Sequence, residues 1–167
     1  MRLIKHIAIG GVLLAISACT GADRFGGGPG GPGSDGALAG SINDPTSPAY
    51  FSQAIGDRVL FPVDQSTLTP EATALLDQQS DWLAQNVEYS ALIEGHADEQ
   101  GTTAYNLALG ERRSSAVQNY LVSRGVAPSR LKTISYGKER PIEICSDESC
   151  YSRNRRAVTV VTVGAGV

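Results

Sequence analysis

The chain has 167 residues, a formal net charge of −3 and 41% hydrophobic residues. This length allows one domain with appended segments, and the hydrophobic share is sufficient for a core. Acidic and basic residues are mixed, which argues against a protein that binds nucleic acid or another polyanion through a basic surface. No nucleic acid is therefore expected among its partners.

The first 18 residues have the composition of an export signal. Arg2 and Lys5 form a basic head, and residues 7–16 form an apolar run of about ten residues, whereas a membrane-spanning helix needs ~20. Residues 16–19, Ile-Ser-Ala-Cys, resemble the bacterial lipobox, in which the signal is removed and the cysteine is lipidated. The alternative is an ordinary signal peptide that happens to contain a cysteine.

Cys19 is thus predicted to carry acyl chains, which together anchor a protein firmly to a membrane. Thr20 follows the cysteine in place of Asp, and analogy with lipoproteins then favours the outer membrane. Residues 19–50 are predicted to be the lipidated cysteine and a flexible tether, because their Gly- and Pro-rich composition cannot bury enough apolar surface to fold. Residues 51–167 are expected to form the folded domain.

The domain shows patterns of four strands and two long helices. In chain order these are a strand over 57–61, a helix opening at Thr69 and Pro70, a strand over 89–95, a helix over 103–124, a strand over 131–136, a short helical turn near 152–155 and a strand over 157–163. The helices are predicted from apolar spacing and capping residues, and the strands from β-branched and aromatic runs. The order β-α-β-α-β-(short α)-β indicates an α+β two-layer sandwich with helices on one face of the sheet.

Arg113 is the most informative charged residue of the second helix. It lies four residues after Leu109 and four before Val117, so it projects from the apolar face, within roughly 40° of both. A charge on that face is costly unless it is paired, and the planar guanidinium group can hold a carboxylate through two hydrogen bonds. An acidic residue of the preceding loop, residues 94–101, is a candidate neighbour. A purely structural ion pair is the alternative.

No arrangement of residues predicts catalysis. His96 is the only histidine beyond the predicted signal, and neither a Gly-x-Ser-x-Gly elbow nor a phosphate-binding loop is present. Asp98 and Glu99 are adjacent carboxylates, but no second acidic cluster completes a glycosidase pair. The protein is therefore predicted not to be an enzyme and to need no cofactor.

Two cysteines, Cys145 and Cys150, remain near the C-terminus. In an oxidising compartment they can pair and close a short loop. A metal site is the competing interpretation, but it needs about four ligands, and His96 is the only histidine available. A disulfide is favoured, and no metal site is predicted.

The segment over residues 94–113 resembles the signature of OmpA-like C-terminal domains, and within that family the peptidoglycan-associated lipoproteins of the Tol–Pal system. Residues 135–141 and 154–158 match the same family, and three separated motifs in the right order are more specific than one. The resemblance implies a four-stranded mixed sheet and an outer-membrane lipid anchor with the domain facing the periplasm. It also implies peptidoglycan, TolB and TolA as partners.

The resemblance further implies a ligand, the diaminopimelate residue of the peptidoglycan peptide stem, which carries an ammonium and a carboxylate group. By motif position, Asp98 binds the ammonium group and Arg113 binds the carboxylate group. Four further residues occupy family positions near this site: Phe61, Asn106, Asn154 and Arg155.

These four residues have different expected roles. Backbone groups near Phe61 are expected to line the site, and Asn106 to brace the loop. A structural clamp is expected for Asn154 and Arg155 rather than a contact with the ligand. Pro62 departs from the family pattern Phe-Asp-x-Asp, because it replaces an Asp and has neither a charge nor an N–H group.

Two other functions stay open at this point. One is a wall-binding lipoprotein outside the Tol–Pal system, and the other is a module that mainly binds proteins. The resemblance implies that TolB binds a surface overlapping the wall site, so that the two partners exclude each other.

Overall fold

The computed structural model describes residues 40–164. The predicted signal over residues 1–18, the predicted lipidation site at Cys19 and most of the predicted tether lie outside the described residues. No helix in the described part of the chain is both long and apolar enough to cross a membrane.

Residues 40–164 form a single four-stranded sheet with helices packed against it. The elements in chain order are α1 (Pro48–Tyr50), a π-helical turn (Phe51–Gly56), β1 (Arg58–Leu60), α2 (Pro70–Gln85), β2 (Tyr89–His96), α3 (Thr103–Ser123), a 3-10 turn (Pro128–Arg130), β3 (Leu131–Gly137), α4 (Glu148–Asn154) and β4 (Arg156–Val163). The strand order is β1-β4-β2-β3, in which β4 is antiparallel to both neighbours and β2 is parallel to β3. The predicted α+β architecture with a mixed sheet is confirmed.

The core lies between the sheet and the helices α2 and α3. Ala91 and Ile93 of β2 and Val161 of β4 are buried against apolar residues such as Leu83 and Val117 of the helices. Successive side chains of a strand point to opposite faces, so one face of the sheet supplies this core. The sheet thereby fixes the position of α3, which carries the predicted ligand-binding arginine.

Capping residues explain where the two long helices begin and end. The hydroxyl group of Thr69 accepts from the backbone N–H of Ala72 (3.2 Å), and Pro70 occupies the first helical position of α2. Thr102 caps α3 in the same way. Gly125, with φ of +97°, follows the end of α3, as expected for a helix that stops in a left-handed residue.

The packed region starts earlier than the predicted boundary at residue 51. The indole N–H of Trp82 donates to the carbonyl of Pro45 (2.7 Å), Ser47 is buried, and the ring of Phe51 lies 4.9 Å from that of Trp82. These contacts hold residues 45–51 against α2. Contacts with α2 therefore begin by Pro45, six residues before the predicted boundary.

The short helix before β4 also starts earlier than expected. A turn is predicted near residues 152–155, whereas α4 begins at Glu148. The reason is Asp147, whose carboxylate accepts from the backbone N–H of Ser149 (2.8 Å) and caps the helix.

Candidate functional site

A cleft of about 200 Å³ lies beside the loop that follows β2. We call residues 97–101 the site loop. The cleft is lined by Val63, Asp64, Asp98, Gln100, Gly101, Tyr105, Asn106 and Leu109. Two carboxylates and two aliphatic side chains thus share one small concavity, which suits a cationic group carried on an aliphatic chain.

Asp98 presents its carboxylate at the inner end of the site loop and is only 8% exposed. Its Oδ1 accepts from the backbone N–H of Gln100 (3.2 Å), and its Oδ2 accepts from Nη1 of Arg155 (3.2 Å). A carboxylate offers about four acceptor positions. The two that these bonds leave are available to a donor in the cleft.

Arg113 is fully buried, with 0% of its surface exposed. Nε donates to the carbonyl of Gln65 (2.8 Å), Nη1 to that of His96 (2.8 Å) and Nη2 to that of Pro62 (3.2 Å). The sequence suggested an acidic neighbour for this residue, but within residues 40–164 no carboxylate lies at ion-pair distance from Arg113. Backbone carbonyls hold the cation instead, because three charge-assisted hydrogen bonds offset much of its desolvation.

The charge on Arg113 therefore persists inside the protein. Burial lowers the pKa of Arg113 to about 10, and the nearby negative charge of Asp98 opposes this shift. The guanidinium group is thus cationic at neutral pH. Pro62 and Gln65 supply two of the carbonyls that bind the guanidinium group. These residues flank Val63 and Asp64, which line the cleft, so this segment covers the cation.

Arg155 is bound directly to the predicted ligand-binding carboxylate. Besides Asp98, it donates through Nη1 to Oε2 of Glu148 (3.3 Å), through Nη2 to Oε1 of Glu148, and through Nε to the carbonyl of Phe61 (3.2 Å). The backbone N–H of Phe61 in turn donates to the carbonyl of Arg155 (2.9 Å). Arg155 thus clamps three segments together and lies directly behind Asp98.

Phe61 itself is not among the residues that line the cleft, whereas the sequence suggested that backbone groups near Phe61 would line it. Both of its backbone groups bond to Arg155, and its ring packs in the core with the guanidinium carbon of Arg113 5.2 Å from the ring centre. Val63 and Asp64, two and three residues further on, line the cleft instead. Phe61 directly follows β1, and both of its backbone groups join the end of that strand to Arg155, the residue before β4.

The two asparagines have structural contacts. The side-chain amide of Asn106 donates to the carbonyl of Gln100 (2.8 Å), which ties α3 to the site loop. Asn154 accepts from the backbone N–H groups of Ile142 (2.9 Å) and Glu143 (3.2 Å) and donates to the carbonyl of Glu143 (2.8 Å). Asn154 therefore shapes the chain before α4 and is not part of the cleft lining.

Asp64 and Tyr105 line the cleft although neither was predicted. The hydroxyl group of Tyr105 donates to Oδ1 of Asp64, so these two lining residues are bonded to each other. Asp64 has a φ of +56°, a left-handed conformation that only Asn, Asp and Gly adopt readily. The sequence does not predict the positive φ of Asp64, because the residue is not a glycine and the neighbouring residues do not specify this conformation.

Cys145 and Cys150 form a disulfide with their Cα atoms 5.9 Å apart. Together with Asp147 they place three potential metal-ligand atoms within 4.8 Å of one another. Both sulfur atoms are bonded to each other, so no thiolate is available there in this state.

His96, the last residue of β2, is a buried titratable group below the site loop. Its carbonyl accepts from Arg113, but neither ring nitrogen has a hydrogen-bond partner among the described residues. The carboxylate of Glu94 lies 3.6 Å from Nε2. Burial, and next the positive charges of Arg156 and Arg140, lower the pKa of His96 to about 4.

The lowered pKa of His96 makes stability depend on pH. The unfolded chain binds a proton at this residue near pH 6.5, whereas the folded domain does so only near pH 4. Between these values the unfolded state holds more protons, so stability falls as the pH falls. We expect the free energy of unfolding to drop by about 2 kcal/mol between roughly pH 7.5 and pH 4.5. Urea titrations at both pH values measure this loss, and an equal loss in His96→Gln would contradict the assignment.

The described residues thus form a small α+β domain with an acidic cleft at the C-terminal end of β2 and a buried cation behind it. The sequence profile of the OmpA family matches residues 60–155, and the chain belongs to this family. Its relatives include proteins named peptidoglycan-associated lipoprotein, as the motifs predicted.

Two of these relatives show how far the similarity extends. A peptidoglycan-associated lipoprotein of Mesorhizobium japonicum is 55% identical over 122 residues, which cover 73% of this chain and 72% of that protein. One of Brucella melitensis is 44% identical over 172 residues, which cover 99% of each chain. The similarity therefore includes the region before the folded domain.

Solved structures share the fold. The crystal structure of the peptidoglycan-associated lipoprotein from Burkholderia pseudomallei matches with a TM-score of 0.65 at 36% identity and covers 72% of this chain and 98% of that one. The C-terminal domain of Helicobacter pylori MotB matches with a TM-score of 0.61 at 18% identity, covering 65% of this chain and 86% of that one. At that identity the second match concerns the fold alone.

Proposed function

We propose that this protein binds peptidoglycan without cleaving it, and that its ligand is the diaminopimelate residue of the peptide stem. The observation that carries the proposal is that a carboxylate lining the cleft, Asp98, lies near a buried cation, Arg113, from which no carboxylate of the described residues lies at ion-pair distance. The relatives are named for their association with peptidoglycan, which supports peptidoglycan as the polymer that this protein binds.

The ammonium group of the ligand binds in the cleft. Asp98 has acceptor positions left beyond its two hydrogen bonds, and Asp64 adds a second carboxylate to the lining of the cleft. Val63 and Leu109 supply aliphatic surface for the methylene chain of diaminopimelate. An acid between apolar walls binds an ammonium group better than an exposed acid, because less water competes for it.

The carboxylate group of the ligand binds Arg113 by replacing a backbone carbonyl. Of the three acceptors, the carbonyl of Pro62 lies farthest from the guanidinium group, at 3.2 Å. A carboxylate forms a stronger hydrogen bond to guanidinium than a carbonyl does. A small shift of the segment over residues 62–65 thus opens the cation to the ligand.

The lipid anchor, the outer-membrane location and the Tol–Pal role are further parts of the proposal. They follow from the resemblance at Cys19 and in the family motifs, with TolB and TolA as the protein partners. Many anchored copies facing one polymer bind it by avidity, even if each single site is weak. The protein would in this way hold the outer membrane to the cell wall during growth and division.

Binding to purified sacculi tests the site. We expect Asp98→Asn to lower the fraction of the full chain that sediments with sacculi, with a loss of about tenfold in affinity, because a charged hydrogen bond to the ligand is removed. Free diaminopimelate should release the wild-type protein. Asp81→Asn, the same charge change at an exposed position of α2, is the control and should bind as the wild type does. Sedimentation that neither Asp98→Asn nor free diaminopimelate reduces would refute the proposed site.

A further inference from the structure

Arg155 lies between two carboxylates that differ sharply in exposure. It donates to Asp98 on the cleft side and to both oxygen atoms of Glu148 on the other side. The side chain of Arg155 is 5% exposed and that of Glu148 is 65% exposed. Glu148 is the first residue of α4 and is not one of the residues that line the cleft.

Because Arg155 is shared between Asp98 and Glu148, it neutralises only part of the negative charge that Asp98 presents to a ligand. A pair formed by Asp98 and Arg155 alone would be neutral, and a neutral pair attracts an ammonium group weakly. The hydrogen bond from Arg155 lowers the pKa of Glu148, so this residue is ionised at neutral pH. With Glu148 included, the three groups have a net charge of −1, and the negative charge of Asp98 is not cancelled.

The segment that carries Glu148 is held in place by few contacts. The helix α4 has seven residues, and an isolated helix of that length is not stable in water. Cys150, in the first turn of α4, is bonded to Cys145 in the preceding loop, and Asp147 caps the helix between them. The same segment reaches the site loop, because Oγ of Ser146 donates to Oε1 of Glu99 (3.3 Å).

We propose that residues 145–150, which the disulfide closes into a loop, act as a positioning element of the wall-binding site. The disulfide holds Glu148 on Arg155, and Glu148 keeps Arg155 from neutralising Asp98. Glu148 is a positioning residue, since it acts on the ligand through Arg155 and Asp98 and does not touch it. The inference rests on the proposed function, because it assigns a role within the same site.

The first test changes the charge of Glu148 and leaves the disulfide intact. In calorimetric titrations of the full chain in detergent with free diaminopimelate, Glu148→Gln should bind about threefold more weakly than the wild type. Pimelate has the same carbon chain and both carboxylates but no ammonium group, so its weaker binding should be unchanged or stronger. Equal losses for both compounds would contradict the inference, because they would indicate a general disturbance of the cleft.

Glu143→Gln is the matched control. Glu143 lies in the same part of the chain and is bonded to Arg153 (2.8 Å), not to Arg155. The substitution removes the same charge, so it reproduces any effect of net charge alone. We expect its affinity for diaminopimelate to equal that of the wild type, and a loss as large as that of Glu148→Gln would overturn the proposal.

The second test removes the disulfide. A dithiol converts the disulfide into two thiols and is itself oxidised to a cyclic disulfide, so the electrons balance. Reduction should weaken diaminopimelate binding by the wild type about as much as Glu148→Gln does, about threefold. In Glu148→Gln it should have no further effect, because the disulfide acts through that residue. Circular dichroism of the reduced protein shows whether the domain stays folded. If the reduced domain unfolds, the positioning role is decided by the affinities of oxidised Glu148→Gln and of the oxidised wild type.

The outcomes separate this inference from the function on which it rests. If the oxidised wild type binds neither sacculi nor diaminopimelate, the proposed function fails and the inference fails with it. If the wild type binds and Asp98→Asn binds more weakly as predicted, but neither Glu148→Gln nor reduction changes the affinity, the function stands and the positioning role is refuted.

Discussion

Replacing Arg113 by methionine is expected to lower the free energy of unfolding by about 3–5 kcal/mol. The guanidinium group is the donor for three carbonyls, those of Pro62, Gln65 and His96. Methionine fills much of the volume but donates no hydrogen bond, so these carbonyls lose their charged partner. The loss is measured by urea unfolding, followed through the fluorescence of Trp82, the single tryptophan.

Two further variants separate charge from geometry at this position. Arg112→Met, at the exposed neighbouring position, should change stability by no more than about 0.5 kcal/mol. Arg113→Lys keeps the charge, but its ammonium group lacks the planar arrangement of donors that lets arginine bind three carbonyls at once. Its stability should therefore lie between those of Arg113→Met and the wild type. If Arg113→Met were as stable as Arg112→Met, the carbonyl contacts would not hold the segment after β1.

Replacing Gly95 by alanine is expected to destabilise the domain by about 3 kcal/mol or more, because α3 crosses β2 with its backbone against this residue. A Cβ atom at Gly95 would lie 1.8 Å from the carbonyl oxygen of Gly110 and 2.6 Å from its carbon. Both atoms belong to the backbone, so no side chain can rotate away. The helix has to move, and Leu109 and Arg113 move with it. We therefore expect weaker sedimentation with sacculi as well as a lower unfolding midpoint.

Gly125→Ala is the control for this substitution. Gly125 has a φ of +97°, so alanine is strained there, but no atom lies within 4 Å of the added Cβ. Its cost should be only about 1 kcal/mol, and wall binding should be unaffected. Equal losses for the two alanine variants would show that the contact between α3 and β2 is looser than the structure indicates.

The long elements of the fold could be predicted because their signals are local. Thr69 with Pro70 marks the start of α2, and Gly125 marks the end of α3. The start of the domain could not be predicted, because it depends on the contact of Trp82 with Pro45, 37 residues away in the chain. Composition alone assigned that segment to the tether.

The sequence predicts a set of site residues but not the network of contacts that holds them. The helical position of Arg113 correctly indicated a buried cation, yet its acceptors are backbone carbonyls, which no residue pattern encodes. The partner of Asp98 is Arg155, 57 residues further on, and Glu148 joins them from a helix that the sequence placed too late. Long-range pairing of this kind follows from the tertiary fold, not from local spacing.

Asp98 and Arg113 are proposed to bind the two charges of one diaminopimelate residue. A nuclear magnetic resonance titration of the ¹⁵N-labelled full chain with free diaminopimelate tests this binding most directly. We predict saturable chemical-shift changes of the backbone amides of residues 63–65 and 97–101 and of the Nε–H group of Arg113. In the free protein this Nε–H group donates to the carbonyl of Gln65. Saturable shifts confined to other regions, with the Arg113 and Asp98 signals unchanged, would contradict the account.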